Sequence, residues 1–147
     1  MSTTTRDLRA HPAEVFAVLS DGWLYPLWVV GASRIRAVDD SWPQPGSRLH
    51  HSVGAWPLLL DDDTEVEQVQ PDRLLVLKAR AWPTGAARVR IALEPAGPQT
   101  RVTIEEDAVS GPATLLPGPV RNAMLDARNV ETLARLAYVV EGRHGGA

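Results

Sequence analysis

The sequence predicts an α+β protein in which an antiparallel meander of six or seven strands lays its dry face against one long C-terminal helix. Three observations predict it. From residue 33 onward, short runs alternate apolar and polar residues, which is strand period. Short turns containing Pro or Gly separate those runs, as between neighbouring antiparallel strands. Residues 118–141 hold no Pro after Pro119 and put Leu125, Asn129, Thr132, Leu133, Leu136 and Val140 on one helical stripe. A sheet with one dry face needs a cover, and that stripe supplies it.

The elements follow in order. Residues 3–9 read as a short strand. Pro12 suits a first helical turn, where its missing N–H costs nothing. Val15, Val18 and Leu19 follow at i, i+3, i+4 spacing beside Phe16, so 12–20 is an amphipathic helix. Asp21-Gly22 ends it. Residues 23–30 form a second short helix with Pro26 in its opening turn, closed by Gly31. Residues 33–38 are a strand, and 39–47 a turn region. In 48–53, Leu49, His51 and Val53 share one face, and Arg48, His50 and Ser52 the other.

Residues 58–69 are a further strand, irregular in the middle, ended by the turn at Pro71-Asp72. In 74–82, Leu75, Leu77 and Ala79 oppose Lys78 and Arg80. Pro83-Thr84-Gly85 turns the chain. Two more strands carry Val89, Ile91 and Leu93, then Val102 and Ile104, on their apolar faces. The helix over 118–141 would be about 36 Å long. Arg121, Arg128, Glu131 and Arg135 lie mostly off its apolar stripe, and Arg128 is expected at the rim. Gly142 is a suitable stop, which leaves 143–147 as a frayed tail.

Composition bounds the function. A chain of 147 residues is one domain's worth, 1–147, long enough to bury a core and keep a pocket. Hydrophobic residues at 44% and charged residues at 22% are ordinary globular values, against disorder, collagen and membrane classes. The longest apolar run, Trp56-Pro57-Leu58-Leu59-Leu60, falls far short of the ~20 residues a spanning helix needs. No membrane insertion is expected. The opening Met1-Ser2-Thr3-Thr4-Thr5-Arg6 has no apolar signal core. Cysteine is absent, which removes disulfides and thiolate chemistry and fits a cytoplasmic protein. The net charge of −3 removes the broad electrostatic footprint of a nucleic-acid binder. Arg34, Arg36, Lys78, Arg80, Arg88 and Arg90 give a charged outer face, which suits a monomer or a loose homodimer.

The order strand, two short helices, about six strands, long helix resembles the helix-grip fold, in which a curved sheet wraps a helix and leaves a cavity. Local segments agree. His11-Pro12-Ala13-Glu14-Val15-Phe16-Ala17-Val18-Leu19-Ser20-Asp21 resembles the opening helix of the polyketide cyclase/dehydrase and lipid transport-like (SRPBCC, START-like) superfamily. Trp28-Val29-Val30-Gly31, Pro45-Gly46-Ser47-Arg48-Leu49-His50-His51-Ser52-Val53-Gly54 and Arg128-Asn129-Val130-Glu131-Thr132-Leu133 resemble segments of one bacterial branch of it. The resemblance covers nearly the whole chain. Lipid carriers, hormone receptors, cyclases and co-chaperones share that fold, with a cavity in common and no catalytic motif, so it implies a fold more than an activity.

No local catalytic signature stands in the chain: no Gly-rich phosphate loop, no Gly-x-Ser-x-Gly elbow, no His-Glu-x-x-His. The run Asp61-Asp62-Asp63-Thr64-Glu65 would need glycine where Val66 stands to form a calcium loop, and its flanks read as strand. A solvated strand or loop is the expectation. His50 and His51 are strand neighbours on opposite faces and cannot readily chelate one ion. His51 faces inward, either as a hydrogen-bonded core histidine or as an acid/base or ligand contact. Glu106 follows Val102 and Ile104 on the inward face. It either pairs with an arginine or reaches solvent, or it forms an acid/base pair with His51. Asn129 either orients a polar ligand group or bridges to strand backbone.

Five tryptophans stand against one phenylalanine and two tyrosines. The resemblance places Trp23, Trp28, Trp56 and Trp82 near a cavity mouth, where amphipathic rings suit an apolar ligand with a polar end. Trp42 is expected at the surface or as a cap. The segment 110–119 either gates the pocket or is a packed connection.

The expected function is therefore binding of a small hydrophobic or aromatic ligand between sheet and helix. Trp23, Trp28, His51, Trp56, Trp82, Asn129 and Leu133 are the expected contacts, and no cofactor or metal is expected. The alternative is a cyclase or dehydratase using His51 or Glu106, with Asn129 orienting a carbonyl. A third reading is a protein-interaction module.

Overall fold

The computed structural model describes residues 1–30, 32–53, 60–81 and 85–145. Among these, seven strands form one antiparallel sheet: β1 (Ser2–Leu8), β2 (Ala32–Val38), β3 (Arg48–Val53), β4 (Leu60–Gln70), β5 (Leu74–Ala81), β6 (Gly85–Ala96) and β7 (Gln99–Ser110). The order is β1-β7-β6-β5-β4-β3-β2. Strands β2 to β7 are a plain meander, and the first strand returns to pair with the last. The helices are α1 (Pro12–Ser20), α2 (Tyr25–Trp28) and α3 (Gly118–Gly145). This is the helix-grip fold.

Local chemistry starts and stops the elements. The His11 N–H donates to Glu14 Oε1 at 3.2 Å, and Pro12 opens α1. Asp21 ends α1, and its carboxylate accepts from the Trp23 N–H at 3.2 Å. That bond starts a short 3-10 turn, Gly22–Leu24. The expected helix over 23–30 is thus a 3-10 turn followed by the single α turn of α2. Val15, Phe16, Val18 and Leu19 of α1 are buried.

Leu133, Leu136, Ala137 and Val140 of α3 sink into the core beside Leu75, Ile91 and Ile104 of the sheet. Helix α3 meets β1 and β7 together with α1 and α2. It runs on through Gly142 to Gly145, past the expected stop. Nothing crowds Gly142. One glycine costs a helix only about 1 kcal/mol, too little to end one anchored by Val140. Residues 143–145, expected in a frayed tail, are helical.

The wet face carries cross-strand ion pairs: Arg48 with Asp63 and Glu65, Arg80 with Asp63, Arg88 with Glu67, Arg90 with Glu105. Each such exposed pair is worth about 0–1 kcal/mol. Stability therefore comes mainly from the inner face. No helix among the described residues is long and apolar enough to cross a membrane.

Two substitutions on α3 separate its faces. Leu136 is fully buried, and Leu136→Ala should cost about 2–5 kcal/mol in urea unfolding. Tyr138 is 85% exposed, and Tyr138→Ala should change stability by no more than about 0.5 kcal/mol.

Candidate ligand cavity

Three successive rows across β5, β6 and β7 step down in size. Leu75, Ile91 and Ile104 stand in register. The next row is Leu77, Val89 and Glu106, and the one after it is Ala79, Ala87 and Ala108. The first row is buried in the core. The alanine methyls are too short to fill the space under α3. A mostly apolar cavity of about 230 Å³ remains there.

Gly85 stands one row beyond the alanines, in register with Ala81. Its φ is +107°, and a Cβ would lie 2.0 Å from the Ser110 carbonyl oxygen. Only glycine lets β6 begin this close to the end of β7.

The other walls are helical. Met124, Leu125, Arg128, Asn129 and Thr132 line the cavity from the first half of α3, with Tyr25 and Trp28 from α2. Leu116 lines it from the connection before α3, and Arg121 Nη1 donates to the Leu116 carbonyl at 3.3 Å. That bond ties the connection to the helix.

The cavity has a polar end. Glu106 is 2% exposed, and its carboxylate accepts a hydrogen bond from the Arg128 guanidinium. Arg128 stands at the rim, where the sequence placed it: its side chain is 41% exposed while its head reaches this partner. A buried carboxylate without a counter-ion costs several kcal/mol. Glu106 therefore does not pair with His51.

His51 lies buried beside the cavity and not among its lining residues. Its Nε2 is 2.9 Å from Thr64 Oγ1, and the Tyr25 hydroxyl is 3.4 Å from the same oxygen. The Tyr25 ring stacks on His51 at 5.9 Å between centroids and meets Trp28 edge-on at 5.3 Å. Burial pushes the Tyr25 phenol up, against the Thr64 hydrogen bond and the Arg128 charge. It stays neutral, and either hydroxyl of the Tyr25–Thr64 pair can be the donor. Burial also pushes the His51 imidazole down, partly offset by the charges of Asp62 and Asp63. His50 turns the other way, with Nε2 3.2 Å from Asp39 Oδ1. The two histidines share no ligand.

Of the remaining expected contacts, Trp28 and Asn129 line the cavity, each 3% exposed. Trp23 is 59% exposed and faces a shallow groove beside Val38 and Trp42 instead. Leu133 is core, one residue past Thr132, the cavity's last α3 residue. Trp56 and Trp82 lie outside the described residues. Tyr25 and the alanine row were missed by sequence reasoning. The alanines carry a signal, alternation on adjacent strands, but it becomes visible only once strand register is known.

Two measurements test this polar end. Arg128→Met should destabilise the protein by about 3 kcal/mol, because it strands the Glu106 carboxylate, and adding Glu106→Gln should recover more than half of that loss. His51 gives a pH dependence. The unfolded chain takes up its proton near 6.5, the folded one only below that. The unfolded state thus binds more protons in that window, and stability falls as pH drops through 6.5. His51→Gln should flatten the loss seen by urea unfolding between about pH 7.5 and 5.5.

Comparison with known proteins agrees with this geometry. Protein NE0264 from Nitrosomonas europaea superimposes with a TM-score of 0.74 at 17% identity, over 97% of this chain and 95% of that one. A conserved protein from Geobacillus kaustophilus gives 0.73 at 13% identity, over 95% and 94%. Ara h 8.0201 gives 0.67 at 16% identity, over 95% and 97%. At these identities the likeness is one of fold. No curated protein matches the chain in sequence. The family model described as polyketide cyclase / dehydrase and lipid transport matches residues 2–141, and the chain belongs to that family.

Proposed function

We propose that the protein binds a small hydrophobic or aromatic molecule in the cavity between the sheet and α3. The row Ala79, Ala87 and Ala108 carries this reading. Three small side chains in register keep apolar space open where one larger residue would close it. Interiors ordinarily pack to crystal density. An unfilled apolar volume next to a few polar groups is the usual form of a ligand site. The family's description supports the same class, since polyketide chemistry and lipid transport both handle molecules rich in apolar carbon.

Native mass spectrometry of the freshly purified protein would reveal any co-purifying molecule. Equilibrium dialysis with 2-isopropenylnaphthalene tests the cavity directly. We expect saturable binding. Ala87→Leu should weaken it by about tenfold or more by occupying the space, while unfolding stays cooperative. Absence of saturable binding to the unaltered protein, with a bare mass in the spectrometer, would overturn the proposal.

A further inference from the structure

Two buried donors at the cavity have neither a hydrogen-bond nor an ion-pair partner among the described residues: Trp28 Nε1 and Asn129 Nδ2. A third lining nitrogen, Arg121 Nε, makes no hydrogen bond but faces the Asp107 carboxylate. Trp28 and Asn129 are each 3% exposed and both line the cavity. They belong to one seam. Thr132, one turn from Asn129 on α3, accepts from the Val30 N–H at 3.5 Å, two residues beyond Trp28. An unpaired buried donor costs more than a made hydrogen bond returns. One such atom is a local defect. Two, from different helices on one apolar cavity, are a recognition element waiting for an acceptor.

The charge at the site constrains that acceptor. Arg128 is neutralised by Glu106, and Arg121 lies 3.2 Å from Asp107. Neither lining cation has surplus charge for an anion. Burying a carboxylate there would leave it uncompensated. Size constrains it further. An apolar cavity of about 150 Å³ holds benzene, so 230 Å³ suits one or two rings.

We infer that the cavity selects a neutral ligand of one or two rings whose carbonyl-type oxygen accepts from the Trp28 indole N–H and the Asn129 amide N–H. This rests on the reading that the cavity binds a small hydrophobic molecule.

The test is a matched series in equilibrium dialysis: 2-acetonaphthone, its isostere 2-isopropenylnaphthalene, and 2-naphthoate. The ketone and the alkene share a shape and differ in the acceptor. We expect the ketone to bind about tenfold tighter than the alkene, and the naphthoate weaker than the ketone. The ketone-to-alkene ratio should fall towards one in Trp28→Phe, which keeps a ring and removes the N–H, and in Asn129→Leu. Because the readout is a ratio within each variant, a general loss of packing does not imitate the result. Equal affinities for ketone and alkene would overturn the inference and leave cavity binding standing. A ratio that survives both substitutions would overturn the assignment to these donors. Tightest binding of the naphthoate would overturn the neutral class. Binding of none of the three would overturn this inference, and with a bare mass in the spectrometer it would overturn the cavity reading as well.

Discussion

Everything at the site depends on one constraint: how far a side chain on the sheet can reach towards α3. In the row Leu75, Ile91 and Ile104, branched side chains join the core cluster, and Ile91 and Ile104 wall the cavity on that side. Two rows on, at Ala79, Ala87 and Ala108, methyl groups stop short. Side-chain volume falls along the three strands towards the cavity. The helix mirrors this division. Leu133, Leu136, Ala137 and Val140 close on the filled rows, while Met124, Leu125, Arg128 and Asn129 stand over the open ones.

The middle row joins the two regimes, and it holds the least comfortable residue. Glu106 stands in register with Val89 and Leu77, on a face otherwise apolar there. Its burial is tolerable because Arg128 comes to it from the helix. That pair ties β7 to α3 at the border between core and cavity. A hydrophobic pair of equal volume would be no less stable. What an ion pair adds is direction, since a guanidinium and a carboxylate must meet in a defined orientation. The Thr64 hydroxyl plays a similar part on β4, where it lies between His51 and Tyr25 and holds the Tyr25 ring against Trp28.

Much of this was legible in the sequence, for physical reasons that differ by element. Pro12 and Asp21 bracket α1 because a missing N–H and a short carboxylate each favour one end of a helix. The inward faces of β3 and β7 were readable because strand period is two, which put Leu49 with His51 and Ile104 with Glu106. The α3 stripe was readable because Asn129, Leu133, Leu136 and Val140 keep helical spacing. Three things were not readable. The alanine row needs the register of three strands at once, and β6 and β7 carry a register shift between Ala86 and Ala87, near that row. Which arginine meets Glu106 needs knowledge of what stands opposite it. Trp23 and Trp28 sit in the same short helical segment, and which ring is buried depends on where the 3-10 turn passes into α2.

Labour is also divided along α3, between holding the helix down and facing the cavity. The residues that hold the helix down lie in its second half, and those that face the cavity lie in its first. A change at Asn129 or Met124 alters what the cavity meets without touching Leu136 or Val140. The sheet separates less sharply: Ala79, Ala87 and Ala108 stand under the open space, while Ile91 and Ile104 serve both the core and the cavity wall. Effects at sites that share no partners are nearly additive. Changes at the cavity can therefore act on one end of the molecule while the other end keeps it folded. Glu106, Arg128, Ile91 and Ile104 are the exceptions, because they lie where both demands meet.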